Sequence, residues 1–499
     1  MGAVARGRAW RAALLAGLTV LSLGAAGVAV VTLDEQPARI GAAPAPSPTP
    51  APVRGALLGG PPDSGTAPTA AGLQAAVAQV LADPAVAGRL VVSIVDAASG
   101  SPLFEQGAGT PVLPASTAKI ATAAATLMVL PAERRLTTRV VAGALPGEVV
   151  LVGGGDPTLA GPGGEADYPA GASLAELAVK VRTSLGSAPV TRVLVDESLY
   201  AGERVGPGWK PTYLTEGAVA AVGPLMVEGG RVQRDRPRRH AEPALAAGRQ
   251  LGALLSASTP TPVASPGAAG AAGAAGVPGT PGAPASSPAP ASSPRPVEVT
   301  RGTAPATPTV LGEVASPPIA QLVERMLLRS DNDLAEALAR HVALAQGQPA
   351  SFAGAAAALE QVLAPLGVDP STAILADGSG LSRSTRITPA AVTGLLARAA
   401  SGREPRLAPL LTGLPVGGFH GTLAGRYRLG AAAAPAAGAI RAKTGTLEGV
   451  SGLAGLVRTS DGRLLAFHLV ADAVPQGANA GAEKALDRLA SSLAACGCR

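Results

Sequence analysis

Lysine is the scarce residue of this 499-residue chain. Of its 40 basic residues only five are lysines, at positions 119, 180, 210, 443 and 484, and the rest are arginines. There are also only two cysteines, four histidines and ten aromatic residues. Neither an H-E-x-x-H nor a C-x-x-C pattern occurs, so a zinc hydrolase is not expected, and we expect no metal and no cofactor.

The positive charge is modest for the length of the chain. A net charge of +6 without a concentrated basic face does not favour dedicated nucleic-acid binding. One arginine cluster exists, RVQRDRPRRH at residues 231–240. Because it contains Asp235 and Pro237 and lacks helical spacing, we interpret it as a solvated loop and not as a contact for a polyanion.

The first 33 residues predict a membrane segment. Three arginines precede an uncharged run from Ala12 to Leu33, whose 22 residues would span about 33 Å as a helix, enough for a hydrocarbon core of ~30 Å. Since a cleaved signal peptide usually has a shorter apolar stretch, we interpret residues 1–33 as an uncleaved anchor, with cleavage near Gly24–Gly27 left open. Positive charge before the span places the rest of the chain on the extracytoplasmic face, or in the secreted fraction if the segment is cleaved.

Two stretches have the composition of tethers or loops. Residues 34–72 and 256–296 are rich in Pro, Ala and Gly, and cannot bury enough apolar surface to offset the entropy of ordering. Cys496 and Cys498 form a C-G-C triplet, for which a small disulfide ring and a pair of tail thiols are both open.

The remaining chain predicts an α+β fold. We expect a helix over 72–84, two strands within 89–106, and a helix within 114–131. Three successive antiparallel strands are predicted between 440 and 472, followed by a closing helix over 480–495. This order indicates an antiparallel sheet assembled from both ends of the chain and flanked by helices.

Two of the five lysines lie in motifs that suggest catalysis. Ser116 and Lys119 are three residues apart, which places them on one face of a helix beginning at Ser116. A buried lysine amine can accept a proton from a serine hydroxyl, whereas a guanidinium stays protonated, so arginine could not replace it. Alone, this S-x-x-K pattern is also compatible with a helix cap and a surface lysine.

Two further triplets strengthen the catalytic interpretation. Ser330-Asp331-Asn332 precedes a helical run, and Lys443-Thr444-Gly445 lies on a predicted strand, where the glycine would let a substrate backbone approach the sheet edge. Each triplet alone fits a helix cap or a strand end. The sequence GGGDPT at 153–158 lacks the P-loop pattern, so we interpret it as a turn after the strand EVVLV.

S-x-x-K, S-D-N and K-T-G in this order are the motifs of penicillin-binding proteins and class A β-lactamases. With LVGGGDPTLAGPG, VLVDESLYAGERVGPGWKP, DGSGLSRSTRITP and LPVGGFHGTLAGRY, the chain resembles the D-alanyl-D-alanine carboxypeptidase/endopeptidase family, the low-molecular-mass class C penicillin-binding proteins. The resemblance runs from about residue 73 to 495. It implies a β-lactamase-like peptidase domain over 73–139 and 306–499, with an inserted domain over 140–305 that contains the loop 256–296.

The resemblance also implies a mechanism and partners. Ser116 is expected to attack the penultimate D-Ala of a peptidoglycan stem peptide, with Lys119 as proton acceptor, Ser330 as relay to the leaving amine and Asn332 on the substrate amide. Substrate binding is expected from Lys443, Thr444, Gly445 and Thr446, and the oxyanion hole from the backbone N–H groups of Ser116 and Thr446. Penicillins are expected to acylate Ser116.

Two alternatives to this peptidase remain. One is a catalytically silent module that binds peptidoglycan or β-lactams. The other, a β-lactamase or esterase on the same scaffold, is disfavoured by the 211 residues between Lys119 and Ser330 and by the lack of an E-x-x-L-N motif after Ser330. Without that deacylating glutamate, a penicillin adduct should be long-lived.

Overall fold

The structure is a computed structural model, and it describes residues 63–83, 86, 88–163, 169–257, 296–427 and 436–498. The predicted anchor 1–33, most of the tether 34–72 and residues 258–295 of the second Pro/Gly-rich stretch lie outside the described residues. Within the described part, no helix is both long and apolar enough to cross a membrane. The sulfur atoms of Cys496 and Cys498 are in contact with each other.

The described strands form two five-stranded sheets. In chain order the strands are β1 Arg89–Asp96, β2 Pro102–Gln106, β3 Thr137–Ala142, β4 Glu148–Val152, β5 Arg192–Asp196, β6 Glu298–Arg301, β7 Val310–Ala315, β8 Ile440–Leu447, β9 Val450–Arg458 and β10 Leu464–Asp472. The first sheet has the order β2-β1-β10-β9-β8, with every neighbouring pair antiparallel. The second has the order β6-β5-β4-β3-β7, with β4, β5 and β6 parallel and the others antiparallel.

The helices of the described part are α1 Ala70–Leu81, α2 Lys119–Val129, α3 Leu174–Leu185, α4 Pro243–Ala257, α5 Ile319–Arg329, α6 Asn332–Ala345, α7 Phe352–Leu363, α8 Pro389–Ala400, α9 Ala408–Thr412 and α10 Asn479–Ala495. Capping side chains set several of the starts. The Thr69 hydroxyl accepts a hydrogen bond from the backbone of Gly72 at α1, and the Asp331 carboxylate accepts one from Leu334 at α6. The Asp331 cap fixes the start of α6 between Ser330 and Asn332.

Helices cover both faces of the first sheet. Leu465 on β10 packs into a core with α1 and α10, whereas the next residue, Ala466, packs into the core formed by α2 and α5 to α9. Successive side chains of a strand point to opposite faces, so a strand with a core on each side is apolar throughout. β10 is accordingly buried along its whole length.

The second sheet is built entirely from the chain between α2 and α5. Its apolar face packs on α3 and α4, with Leu151, Leu177 and Leu251 fully buried between them. The parallel strands β4 and β5 are joined through α3, as a parallel connection requires a crossover. Residues 209–222 of this segment reach the Ser-Asp-Asn motif, where the carbonyl of Ala218 accepts a hydrogen bond from Asn332.

Most of the sequence-based expectations for secondary structure are confirmed. The α+β class and the sheet built from both chain ends agree with the structure, as do the three strands β8 to β10 and the closing helix. The turn after EVVLV follows β4. One expectation was wrong in detail, because α2 begins at Lys119 and a single 3₁₀ turn, Ala115–Ala118, carries Ser116.

Candidate active site

Ser116 lies on a 3₁₀ turn directly before α2. The preceding residue, Ala115, has a φ of 48°, a left-handed conformation that is unfavourable for a residue with a Cβ. Thr117 fixes the turn from the other side, because its hydroxyl donates to the carbonyl of Pro114 at 2.7 Å. The strained turn presents the hydroxyl of Ser116 to Lys119, whose Nζ donates to Ser116 Oγ at 3.1 Å.

Lys119 is fully buried and is held by three oxygen atoms. Besides Ser116 Oγ, its Nζ donates to Asn332 Oδ1 and to the backbone carbonyl of Ser379, both at 2.6 Å. Burial lowers the pKa of the Lys119 amine to about 8, although Asp377 and Glu336 oppose the shift. At neutral pH a useful fraction of the amine is therefore unprotonated and able to accept a proton.

Ser330 and Asn332 reach this site from the junction of α5 and α6. Ser330 ends α5 in a left-handed conformation with a φ of 56°, which turns the chain sharply. Its hydroxyl accepts a hydrogen bond from Lys443 Nζ at 2.8 Å. The amide nitrogen of Asn332 donates to the carbonyl of Ala218 at 2.9 Å, so the second-sheet segment helps to hold this side chain.

Lys443 is the second buried amine of the site. It is fully buried on β8, and its pKa lies well below the ordinary value because of burial and the nearby charge of Lys119. Lys119 Nζ thus donates a hydrogen bond to Ser116. In the same way, Lys443 Nζ donates one to Ser330. The three motifs that are far apart in the sequence meet in one cluster.

The edge of β8 provides an open backbone surface. At its start the strand is covered, since Ala442 N donates to the carbonyl of Pro415 at 2.9 Å. Backbone N–H groups alternate in direction along a strand, so those of Thr444 and Thr446 point to the same outer side as that of Ala442. The hydroxyl of Thr444 bonds to Thr422 at 2.9 Å, and that of Thr446 donates to Glu483 at 2.7 Å.

Gly445 has a packing role in addition to the one expected. A Cβ at this position would lie 2.8 Å from the carbonyl oxygen of Pro114 and 3.1 Å from the backbone nitrogen of Thr117. The glycine thus allows β8 to approach the turn that carries Ser116. Its small size serves the packing of the two motifs against each other, which the sequence pattern did not indicate.

Several residues of the site were not found by the sequence analysis. Glu336 on α6 is buried, and its carboxylate accepts hydrogen bonds from Ser379 N at 2.9 Å and Gly378 N at 3.2 Å. Asp377 accepts from Trp209 Nε1 at 2.8 Å and from Ser382 N at 2.8 Å. The signal for Asp377 was present in DGSGLSRS, where a carboxylate precedes a glycine-rich turn.

Most of the arginine cluster at 231–240 is a solvated loop, as expected, with residues 232–238 exposed. Arg236 is exposed, but the side chain of Arg239 is only 5% exposed and pairs with the buried Asp333 at 3.0 Å. Arg231 and Arg239 also form an isolated β-bridge. Arg239 departs from the expectation because its partner carboxylate lies on α6, 94 residues further along the chain.

A helix-flanked antiparallel sheet with a buried Ser–Lys pair, a Ser-x-Asn turn and a Lys-Thr-Gly edge strand defines a serine hydrolase of the penicillin-recognising type. Comparison with known proteins gives the family. Residues 73–256 and 295–493 match the D-Ala-D-Ala carboxypeptidase 3 (S13) family, to which the chain belongs. It is a serine-type D-Ala-D-Ala carboxypeptidase.

Curated relatives cover most of the chain. It is 38% identical over 441 residues to carboxypeptidase DacB of Mycolicibacterium smegmatis, covering 87% of this chain and 86% of the relative. It is 31% identical over 443 residues to the D-alanyl-D-alanine carboxypeptidase of Actinomadura sp., covering 78% and 79% respectively.

Solved structures give the same fold. Penicillin-binding protein 4 of Haemophilus influenzae superposes with a TM-score of 0.60 at 20% identity, covering 82% of this chain and 98% of that chain. A structure of the same protein complexed with a novel β-lactam has a TM-score of 0.55 at 20% identity, covering 83% and 99%. The expected family and fold class are confirmed.

Proposed function

We propose that this enzyme cleaves the D-Ala-D-Ala bond of peptidoglycan stem peptides through an acyl-enzyme on Ser116, and that penicillins acylate the same hydroxyl. The observation that carries the proposal is the 3.1 Å hydrogen bond from the fully buried Lys119 amine to Ser116 Oγ. An amine with a pKa of about 8 can take the hydroxyl proton at neutral pH.

The reaction proceeds in two stages. In acylation, Ser116 Oγ bonds to the carbonyl carbon and its proton passes to Lys119. The C–N bond breaks as Ser330 gives its hydroxyl proton to the leaving amine, and the proton held by Lys119 replaces the one that Ser330 has given up. In deacylation, Lys119 takes a proton from the attacking water and returns it to Ser116 Oγ as the ester C–O bond breaks, and the peptide carboxylic acid releases its proton to solvent. Ser330 suits the relay because its hydroxyl is bonded to Lys443 Nζ at 2.8 Å.

The backbone N–H groups of Ser116 and Thr446 form the oxyanion hole in this proposal. The outward direction of the Thr446 N–H on the open edge of β8 supports it. Each such donor contributes on the order of 3 kcal/mol to the transition state. Asn332 holds the substrate amide, and Lys443 and Thr444 bind the terminal carboxylate, with Gly445 and Thr446 completing the strand along which the peptide lies.

We also propose how the chain is organised and where it acts. The second sheet and its helices belong to an inserted domain within the peptidase domain expected over 73–139 and 306–499. Because β3 Thr137–Ala142 and β7 Val310–Ala315 are strands of this sheet, the insert runs from about 137 to 315 and is wider than the expected 140–305. Residues 1–33 anchor the protein in the membrane, residues 34–72 tether it, and the catalytic part acts on the extracytoplasmic face. The uncharged run from Ala12 to Leu33 after three arginines supports the anchor.

Intact-mass analysis with peptide mapping of residues 63–499, after incubation with a penicillin, tests the proposal. We expect a stable adduct on the peptide that contains Ser116 and none in Ser116→Ala. A folded wild-type protein without an adduct would favour the silent binding module. An adduct that is released within seconds would favour the β-lactamase, and hydrolysis of a D-Ala-D-Ala peptide separates the peptidase from both.

A further inference from the structure

A cavity of about 280 Å³ adjoins the site, on the side of Ser330 and Asn332. Water occupies about 30 Å³ per molecule in the liquid, so the cavity has room for several waters or for a short polar chain. Five arginines line it, and only two carboxylates do, Glu228 and Asp331. The arginines are Arg231, Arg234, Arg239, Arg325 and Arg329.

The arginines come from two separate parts of the chain. Arg325 and Arg329 lie on the last turns of α5, directly before Ser330, whereas the other three belong to the loop at 231–240. Arg239 is held in place by Asp333, and its Nη1 also donates to the carbonyl of Gly229 at 3.0 Å. The fold therefore brings the five arginine side chains together around one cavity.

Part of this donor capacity is unused. The Nε atoms of Arg239 and Arg325 are buried and have no hydrogen-bond partner among the described residues, and Arg325 Nε has only an ion pair of 3.8 Å to the Asp331 carboxylate. A buried N–H group without an acceptor is unfavourable, and guanidinium groups bind carboxylates in a planar, bidentate manner. Burial and the charge of Arg231 lower the pKa of Arg239, which an anion in the cavity would counteract.

We propose that this cavity is a subsite for a second carboxylate of the substrate, carried by the leaving group beyond the one that Lys443 and Thr444 bind. This inference rests on the proposed function, in which Ser330 protonates the leaving amine. Because Ser330 forms part of the cavity wall, a leaving group at that hydroxyl extends next to the arginines. The enzyme then prefers leaving groups that are larger than D-Ala and carry an additional negative charge.

Two substrates of equal size test the subsite. One is an acylated peptide ending in D-Ala-D-Glu and the other ends in D-Ala-D-Gln, so they differ only in a carboxylate against a carboxamide on the leaving residue. We expect kcat/KM of the wild type to be about tenfold or more higher for D-Glu, the effect of one charge-assisted hydrogen bond. Equal values for the two substrates would overturn the subsite.

Substitutions of the cavity arginines show which residues produce the preference for D-Glu. Arg325→Gln and Arg231→Gln should each reduce the D-Glu to D-Gln ratio towards one. Arg236→Gln is the matched control, since it removes the same charge from an exposed position of the same loop and does not line the cavity. A ratio that survives both cavity variants would contradict the proposal, and Arg231→Gln decides the question if Arg325→Gln does not fold.

Inorganic phosphate separates a substrate carboxylate from a free anion. At millimolar concentration it should lower the wild-type ratio by competing for the cavity. One outcome would overturn the proposal: the wild type binds phosphate, Arg325→Gln does not, and the wild type cleaves the D-Glu and D-Gln substrates equally well. The cavity would then take only small anions. Cleavage of the parent D-Ala-D-Ala peptide and penicillin acylation are measured in parallel, because their loss in the wild type would refute the proposed function instead.

Discussion

Glu336 and Lys119 bind opposite ends of the same residue, Ser379. The carboxylate of Glu336 accepts a hydrogen bond from Ser379 N at 2.9 Å, and the carbonyl of Ser379 accepts one from Lys119 Nζ at 2.6 Å. The buried glutamate thereby fixes one of the three oxygen atoms that position the proposed base. It also lies close enough for its charge to raise the pKa of Lys119.

Glu336→Gln should therefore change both stability and the pH profile. Without the negative charge the pKa of Lys119 falls, so the rising limb of penicillin acylation moves to lower pH. The variant also leaves Arg340 buried beside an uncharged group, at a cost of about 3–5 kcal/mol in unfolding free energy. In the double variant Glu336→Gln/Arg340→Met, most of the unfolding free energy should return while the pH profile of acylation stays displaced to lower pH. If the double variant has the pH profile of the wild type, the role of Glu336 is purely structural.

The acylation rate of the wild type should depend on pH through Lys119. Its pKa of about 8 lies below the ordinary value, so the neutral amine becomes about ten times more abundant with each pH unit up to that point. The carboxylates of Asp377, Glu336, Asp331 and Asp333 limit this shift. Acylation kinetics from pH 6 to 9 should rise and then level off near pH 8, and a flat profile would argue against Lys119 as the base.

Lys119→Arg should abolish most of the activity even though it keeps the positive charge. A guanidinium stays protonated and cannot accept the hydroxyl proton, so we expect a loss of 10²–10⁴-fold in acylation rate. Lys484→Arg, at an exposed position on α10, provides the control and should behave like the wild type. A healthy Lys119→Arg enzyme would mean that Lys119 acts only through its charge.

Gly380→Ala should disturb the nucleophile from a distance in sequence. Gly380 has a φ of +77°, and a Cβ there would overlap with the carbonyl of Ala115, next to Ser116. We expect the unfolding free energy to fall by about 2–4 kcal/mol and acylation to slow. The control is Gly394→Ala on α8, where nothing lies within 4 Å of the new Cβ and a gain of about 0.5–1 kcal/mol is expected. Denaturant unfolding of both variants measures these changes. If Gly380→Ala is as stable as the wild type, the turn adapts to the new Cβ and the prediction is wrong.

The sequence allowed the proposed reactive residues to be named because the proposed chemistry restricts the choice of side chain. In a chain that prefers arginine, the proposed proton transfer explains a lysine at position 119, and Ser330, Asn332 and Lys443 followed from motifs of equally narrow chemistry. The strands β9 and β10 were predictable because each is a largely apolar run and the two are joined by a turn at Ser460-Asp461-Gly462.

Long-range pairing was what the sequence could not supply. Glu336 resembles any solvent-facing glutamate of a helix until α6 is packed against residues 377–379. Arg239 reads as part of a polar loop until Asp333 is brought to it from α6. The role of Gly445 likewise depends on the approach of the turn at Pro114, 331 residues away in the chain.

The central position of β10, between β1 and β9, has a consequence for biosynthesis. Until residue 472 has left the ribosome, β1 lacks the partner that joins it to β9 and β8, so Lys443 has no frame that brings it to Ser330. Contacts of such high sequence separation also form slowly. A nascent chain therefore cannot assemble the complete site before β10 takes its place between β1 and β9.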